Sequence, residues 1–311
     1  MLKICADIGG TKTIVGLINQ DLSVIDSQKF ETEVNHPEVE FTKIINIANE
    51  FSKKYNDVAQ NTLNIAMPGP CDYTEGLFLN PPNLQKYIGF NAGDYIKQQS
   101  AFQPHFVNDT DAAILAEYQY LKSEVEDVIY LTISTGIGMA YVRNGQLVTG
   151  VDGNFGEIGH TIIKNNSDYQ CPVCHQFGCV ENELSGLAIS RKASDILQRT
   201  VSTREAIDIY MNKENENISC MMEEVVLLTQ QLCTNLFNIF NVYHIILGGG
   251  VTQSALPYKE NIEAYAQKHH LIQNKPFHIK VSDLASNVLT GLYYVNAVSY
   301  THLTLPTIYS V

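Results

Sequence analysis

The chain has 311 residues, 45% of them hydrophobic, with 20 basic and 33 acidic side chains giving a formal charge of -13. No Lys/Arg-rich run interrupts this acidity, which excludes nucleic acid or an anionic membrane as the main partner. The length exceeds what one core usually holds, so two domains around a deep cleft are expected.

The N-terminus enters an apolar strand, Leu2 to Ile8, with no basic lead or apolar signal core, and no apolar run approaches the ~18 residues that span a bilayer. A cytoplasmic protein is expected. A second apolar run, 13–19, follows across Gly9-Gly10-Thr11-Lys12, and 23–32 supplies a third strand. Two glycines at a hairpin tip leave backbone N–H groups open to an anion, Thr11 and Lys12 add donors, and Asp7 can hold Mg2+ through water. By themselves these residues also fit a plain hairpin.

Phe41, Ile44, Ile45, Ala48 and Phe51 then repeat at helical spacing, and 62–67 forms a strand that stops at Pro68-Gly69-Pro70. The Pro/Asn/Gly-rich stretch to Gly93 reads as loop. Phe106-Val107 runs into Asn108-Asp109, after which Thr110 or Asp111 is positioned to cap a helix carrying Ile114, Leu115 and Tyr118. Asp109 therefore sits at a strand-to-helix corner. A carboxylate there can take the proton of an attacking hydroxyl, or it can serve as a cap.

Runs 128–134 and 138–143 form a second strand pair, with Asn144-Gly145 as the turn into 146–149. Ser134-Thr135-Gly136-Ile137-Gly138 is a second glycine loop after a buried strand. Two such loops, each opening a similar half, favour anion binding over plain hairpins.

Three cysteines fall within nine residues, Cys171, Cys174 and Cys179, a spacing that in a reducing compartment reads as metal ligation. With His160 they offer one imidazole and three thiolates, a closed tetrahedral set for structural Zn2+ that would add directly to folding stability. Cys5, Cys71, Cys220 and Cys233 read as buried small residues. Helices are expected near 186–198, 203–212 and 219–241, then a strand at 243–247, Gly248-Gly249-Gly250, and a closing α/β segment whose last helix starts near Asn287. From Val298 the chain resembles the translation of a sequencing adapter, so 298–311 is set apart as a non-native tail and the natural C-terminus is expected to differ beyond about Ala297.

From residue 3 to about 297 the chain resembles the ROK family of sugar kinases and repressors, within the actin-like ATPase fold group. The resemblance rests on Asp7 to Lys12, Pro68-Gly69-Pro70, Asn108-Asp109, Gly136 to Gly138, and most specifically Gly156-Glu157-Ile158-Gly159-His160 followed by Cys171, Cys174, Cys179 and Glu181. It implies a two-lobed α/β fold of ribonuclease H-like type, lobes at 1–120 and 121–297, and an active site in the cleft between them. It further implies Asp109 as catalytic base, with Gly69, Asn108, Glu157, His160 and Glu181 around the sugar. ATP would meet Asp7, Gly9, Gly10, Thr11, Lys12, Thr135, Gly136 and Gly138, with Gly249 and Gly250 near the adenosine.

One departure stands out: the family usually has Cys-x-Cys-Gly, whereas here two residues separate Cys171 from Cys174 and His175 replaces the glycine, so that His175 becomes a rival to His160 as ligand. The implied activity is ATP-dependent phosphorylation of the 6-hydroxyl of glucose. N-acetylmannosamine, N-acetylglucosamine and fructose are the other acceptors, and a homodimer is expected. A sugar-sensing regulator is the reading from another class. Those relatives carry a helix-turn-helix ahead of the phosphate hairpin, and here the hairpin begins by Asp7.

Overall fold

The computed structural model describes residues 1–122, 124–272 and 275–297; the adapter-like run from Val298 lies outside the described residues. Strands β1 (Leu2–Ile8), β2 (Lys12–Ile18) and β3 (Val24–Glu31) form the expected antiparallel meander. Helix α1 (Pro37–Lys54) follows. Pro37 opens it, Glu38 and Glu40 lie in its first turn, and Lys53 and Lys54 lie in its last, each complementing the helix dipole. Its apolar stripe of Phe41, Ile44, Ile45, Ala48 and Phe51 is buried against the sheet.

Strand β4 (Val58–Met67) returns parallel to β1. The stretch expected as loop is instead structured: β5 (Cys71–Asp72) and β6 (Leu77–Phe78) make a small hairpin, residues Gln85–Tyr87 a 3-10 turn, and α2 (Ala92–Gln99) begins behind the cap Asn91. Tertiary packing overrides the turn-rich composition here, because Phe78 and Tyr87 meet edge-to-face at 5.0 Å and Phe41 meets Phe90 at 5.5 Å. Strand β7 (Gln103–Asn108) lies parallel to β4 and leads into α3 (Asp109–Leu121).

The second half repeats the plan. Strands β8 (Val128–Ile133), β9 (Ile137–Arg143) and β10 (Gln146–Leu147) form a meander, with Asn144 and Gly145 at φ of 50° and 73° in the turn, both left-handed as a two-residue hairpin needs. Helices α4 (Val180–Leu184), α5 (Gly186–Leu197), α6 (Thr203–Met211) and α7 (Glu216–Phe240) precede β11 (His244–Gly248), parallel to β8. Helix α8 (Tyr258–His269) and β12 (His278–Val281), parallel to β11, complete that half.

The two sheets run β3-β2-β1-β4-β7 and β10-β9-β8-β11-β12, the same order of antiparallel meander followed by parallel strands. Helix α9 (Asn287–Gly291) and a 3-10 segment (Leu292–Ala297) then return to the first sheet, where Leu289, Leu292, Tyr293 and Val295 pack with Cys5, Ile18, Ala66 and Val107.

Of the cysteines read as buried, Cys220 is a correction: it faces outward from α7 and is exposed, whereas Cys5, Cys71 and Cys233 are buried. Among the described residues no helix is long and apolar enough to cross a membrane.

Candidate active site and metal centre

Strand register decides which residues meet. Asp7 pairs with Ala66 and Met67 pairs with Asn108, so Asp7, the Pro68 to Pro70 loop and the Asn108-Asp109 corner all emerge at one carboxyl edge of the first sheet. In the second sheet Thr132 pairs with Gly248, which brings Ser134 to Gly138 and Gly248 to Gly250 to a matching edge. Crevices beyond the carboxyl ends of parallel strands are where α/β sheets bind ligands. The two edges touch at Gly138, where a β-carbon would stand 2.5 Å from Thr110 Oγ1. Only glycine permits that approach.

The α3 cap differs from expectation. Asn108, and not Thr110 or Asp111, is the N-cap: its Oδ1 accepts the Thr110 N–H at 2.8 Å. Asp109 thus opens the helix proper, where its Oδ1 accepts from Thr110 N at 2.7 Å and Thr110 Oγ1 at 3.2 Å. Burial raises the Asp109 carboxyl above the usual range against those bonds.

The same cleft pushes Asp7 up to about 7, through burial first and the Asp109 charge second. Glu181 is also raised to about 7, by burial, with the Ile137 N–H opposing and Glu157 adding. Desolvation in the cleft raises Glu157, with His160 pulling it down and Asp109 pushing it up. Asp111, buried behind them, is driven well above the ordinary range by burial and then by Asp109. Four predicted carboxylates, Asp7, Asp109, Glu157 and Glu181, therefore feel one another across the space where substrates would sit.

At the first glycine turn Gly9 N donates to Lys12 O at 3.1 Å, Thr32 Oγ1 donates to Gly9 O at 2.8 Å, and Gly10 rests against Asn83. The side chains of Thr11 and Lys12 are exposed. At the second turn the carbonyls of Ser134 and Thr135 accept from Gly186 N at 2.7 Å and Leu187 N at 3.3 Å, which turns them toward the start of α5. Gly136 lies against Glu181, whose Oε2 accepts from Ile137 N at 2.6 Å. Gly249 and the exposed Gly250 lie just past β11, where Val251 N donates to Ile133 O at 3.0 Å.

The ligand atoms of His160, Cys171, Cys174 and Cys179 all lie within 4.8 Å of one another. His160 Nδ1 is buried without a hydrogen-bond partner, the state of a ring nitrogen aimed at a metal. Burial works against a Cys171 thiolate, yet the backbone N–H groups of Cys174 and Val173 bring it below the usual thiol range. This donor set fits one tetrahedral ion.

His175 is not part of it. It is exposed with φ of 58° and donates its N–H to Cys171 O at 3.0 Å. A left-handed backbone at this point is one that glycine adopts more readily than histidine. The pairing of Ile162 with Cys179, with Val180 N donating to Thr161 O at 2.9 Å, carries the cluster's rigidity into Glu157, His160 and Glu181.

Two residues at this site lie outside every motif. Tyr73 OH accepts Asn108 Nδ2–H at 2.9 Å and crowds Gly69, where a β-carbon would lie 2.5 Å from it. Asn154, from the second half, grips the Cys71 peptide at both ends: Oδ1 accepts from Cys71 N at 3.2 Å and Nδ2 donates to Cys71 O at 3.0 Å. A signal was available for Tyr73, an aromatic residue just past Pro-Gly-Pro in a polar loop; none was available for Asn154.

Two sheets of one order, meeting edge to edge over clustered carboxylates and glycine turns, define the two-lobed α/β fold of the actin-like ATPases with its site in the interlobe cleft. The ROK family model matches residues 3–290, and the chain belongs to that family. An N-acetylmannosamine kinase of Shigella boydii is 33% identical over 211 residues, 66% of this chain and 69% of that protein. One of Citrobacter koseri is 28% identical over 286 residues, 89% of this chain and 90% of that protein. The ROK hexokinase structure from Thermus thermophilus superposes with a TM-score of 0.82 at 24% identity, covering 95% of this chain and 97% of that one.

Proposed function

We propose that this protein is an ATP-dependent sugar kinase that transfers the γ-phosphoryl group to the 6-hydroxyl of a hexose, with N-acetylmannosamine as the first acceptor to test. The observation that carries this reading is the Asp109 corner, a half-buried carboxylate with raised pKa facing Asp7, Glu157 and the glycine turn of the other lobe. Asp109 would accept the hydroxyl proton as the sugar oxygen bonds to the γ-phosphorus and the bond to the leaving ADP oxygen breaks.

The glycine turns and Lys12 would position the phosphates, and Gly249 and Gly250 would adjoin the adenosine. Most of the rate gain would come from this placement and charge neutralisation. Asp7 and Asp109 repel each other in a buried cleft, a donor pair that Mg2+ would fit; when bound it offsets phosphate charge.

One ring nitrogen of His160 would serve the metal, as the buried, unpartnered Nδ1 suits, and the other a sugar hydroxyl beside Glu157, Asn108 and Glu181. Zn2+ in the His160, Cys171, Cys174 and Cys179 set would hold these residues in place without taking part in the chemistry. The lobes divide near residue 120, with 287–297 crossing back, and a homodimer remains the expected assembly.

Support for N-acetylmannosamine comes from the relatives at 28% and 33% identity, which are N-acetylmannosamine kinases. Glucose, the acceptor expected from sequence, is the second reading, since the site's carboxylates, amide and imidazole recognise hydroxyls that both sugars carry. ADP release with Mg-ATP and a panel of N-acetylmannosamine, N-acetylglucosamine, glucose and fructose tests both. Turnover with glucose alone would overturn the first, and turnover with no sugar would overturn the kinase reading.

A further inference from the structure

Thr32 stands just past β3, outside every motif, with its side chain buried. Its hydroxyl has one hydrogen and two acceptors in reach, Gly9 O at 2.8 Å and Thr13 Oγ1 at 3.0 Å. Thr13, fully buried, donates its own hydrogen to Glu40 Oε1 in the first turn of α1. Gly9 O is the nearer of the two acceptors and takes the Thr32 hydrogen.

The backbone that carries this hydroxyl is fixed from three sides. Thr32 N donates to Thr11 O at 3.1 Å, Glu33 N to Glu40 Oε2 at 2.8 Å, and Tyr87 OH to Glu33 O at 2.6 Å. The hydroxyl therefore stays in place, and the Gly9 carbonyl must come to it.

That carbonyl belongs to the same peptide unit as the Gly10 N–H. In a trans peptide the two groups point in opposite directions, so a Gly9 carbonyl drawn inward to Thr32 turns the Gly10 N–H toward the open side of the turn. The Gly10 N–H has no acceptor among the described residues. Two consecutive glycines carry no β-carbon to bias this peptide plane, so it can turn over at small cost. Turned over, it would offer an anion a carbonyl oxygen in place of a donor.

We infer that Thr32 is a positioning residue for ATP, its hydroxyl fixing the Gly9-Gly10 peptide so that the Gly10 N–H is directed at a phosphate group. The inference rests on the nucleotide half of the kinase reading. Thr32 acts through the peptide and not by contact with the nucleotide. It selects one of two peptide orientations in advance, which removes that ordering cost from binding.

The test is calorimetric titration with Mg-ATP and with adenosine, together with KM for each sugar of the panel above, on the full chain and on Thr32→Val, Thr32→Ala and Thr32→Ser. Valine keeps the size and loses the hydroxyl, alanine loses it without crowding Gly9, and serine keeps it. Thr32→Val and Thr32→Ala are expected to weaken Mg-ATP binding about three- to tenfold, the loss of one neutral hydrogen bond. Adenosine affinity and sugar KM should stay within about twofold of the parent, and Thr32→Ser should bind Mg-ATP as the parent does.

Equal losses for Mg-ATP and adenosine would reduce Thr32 to packing and overturn the inference. Parental Mg-ATP affinity in both the valine and alanine variants would do the same, as would a serine variant no better than they are. A parent that binds Mg-ATP but phosphorylates no sugar would overturn the kinase reading, while the titrations still decide the role of Thr32. A parent that binds no Mg-ATP would overturn both.

Discussion

Glu181 Oε2 accepts the backbone N–H of Ile137 at 2.6 Å. Glu181 begins two residues after Cys179, and Ile137 begins β9 directly after the second glycine turn, so a single side chain ties the His/Cys cluster to the proposed phosphate loop. Loss of metal should therefore be felt at both substrates.

Cys174→Ser, or dialysis against a strong chelator, is expected to lower the melting temperature and to raise KM for the sugar by about ten- to a hundredfold, the range typical of lost metal-site support. KM for ATP should rise with it through Ile137. Elemental analysis of the parent should give one zinc per chain, and a metal-free protein with parental KM values would refute the coupling.

Asp109→Asn keeps the size of the side chain and removes the base. Turnover is expected to fall by about a hundredfold to ten-thousandfold while calorimetric sugar affinity changes little. Retained turnover would place the base elsewhere.

Acidification should inactivate the enzyme near neutrality. Asp109 must be ionised to take a proton and its carboxyl is raised by burial, while Asp7 and Glu181 are raised to about 7 from ordinary values of 3.8 and 4.5. The expected kcat/KM therefore declines as pH falls through about 7.

Stability moves the opposite way: an acid whose pKa is higher in the folded state favours folding at low pH, and that contribution is lost as pH rises through the folded value. The melting temperature of the metal-loaded, nucleotide-free protein should drop between pH 5 and 8, with a smaller drop in Asp7→Asn and Glu181→Gln. Equal pH slopes in all three would contradict this.

Gly138→Ala places a β-carbon 2.5 Å from Thr110 Oγ1, and Thr110 holds the Asp109 carboxylate through two hydrogen bonds. The expected result is a loss of kcat of at least about tenfold with a modest fall in melting temperature, overpacking costing about 1–3 kcal/mol. Adding Thr110→Ala removes the clashing oxygen and should restore the melting temperature but not the rate. A double variant as unstable as the single one would show that the contact is elsewhere.

Much of this arrangement was legible in the residues because it depends on local pattern. Gly9-Gly10 and Asn144-Gly145 specify turns, alternating and buried apolar runs specify strands, and the cysteine spacing specifies a knuckle. The cap at Asn108 was misread as Thr110 or Asp111 because helical periodicity marks a face and not a first turn.

The β5, β6 and α2 segment reads as loop because of Pro81, Pro82 and Gly89, whereas Phe78 and Phe90 hold it against Phe41 of α1, contacts that no local window contains. Asn154 and Cys71 are 83 positions apart, and only the docking of the lobes makes them partners.

Helix α3 has Asp109 in its first turn and Glu117 two turns on, and Glu117, fully buried, accepts from Ser282 Oγ and from Lys280 Nζ on the edge strand of the second sheet. Eight residues of helix amount to a rigid rod of roughly 12 Å. Such a rod does not absorb a push at one end. A shift of the edge strand relative to the first lobe would be carried along this helix to the Asp109 carboxylate, which ties the position of the proposed base to the angle between the lobes.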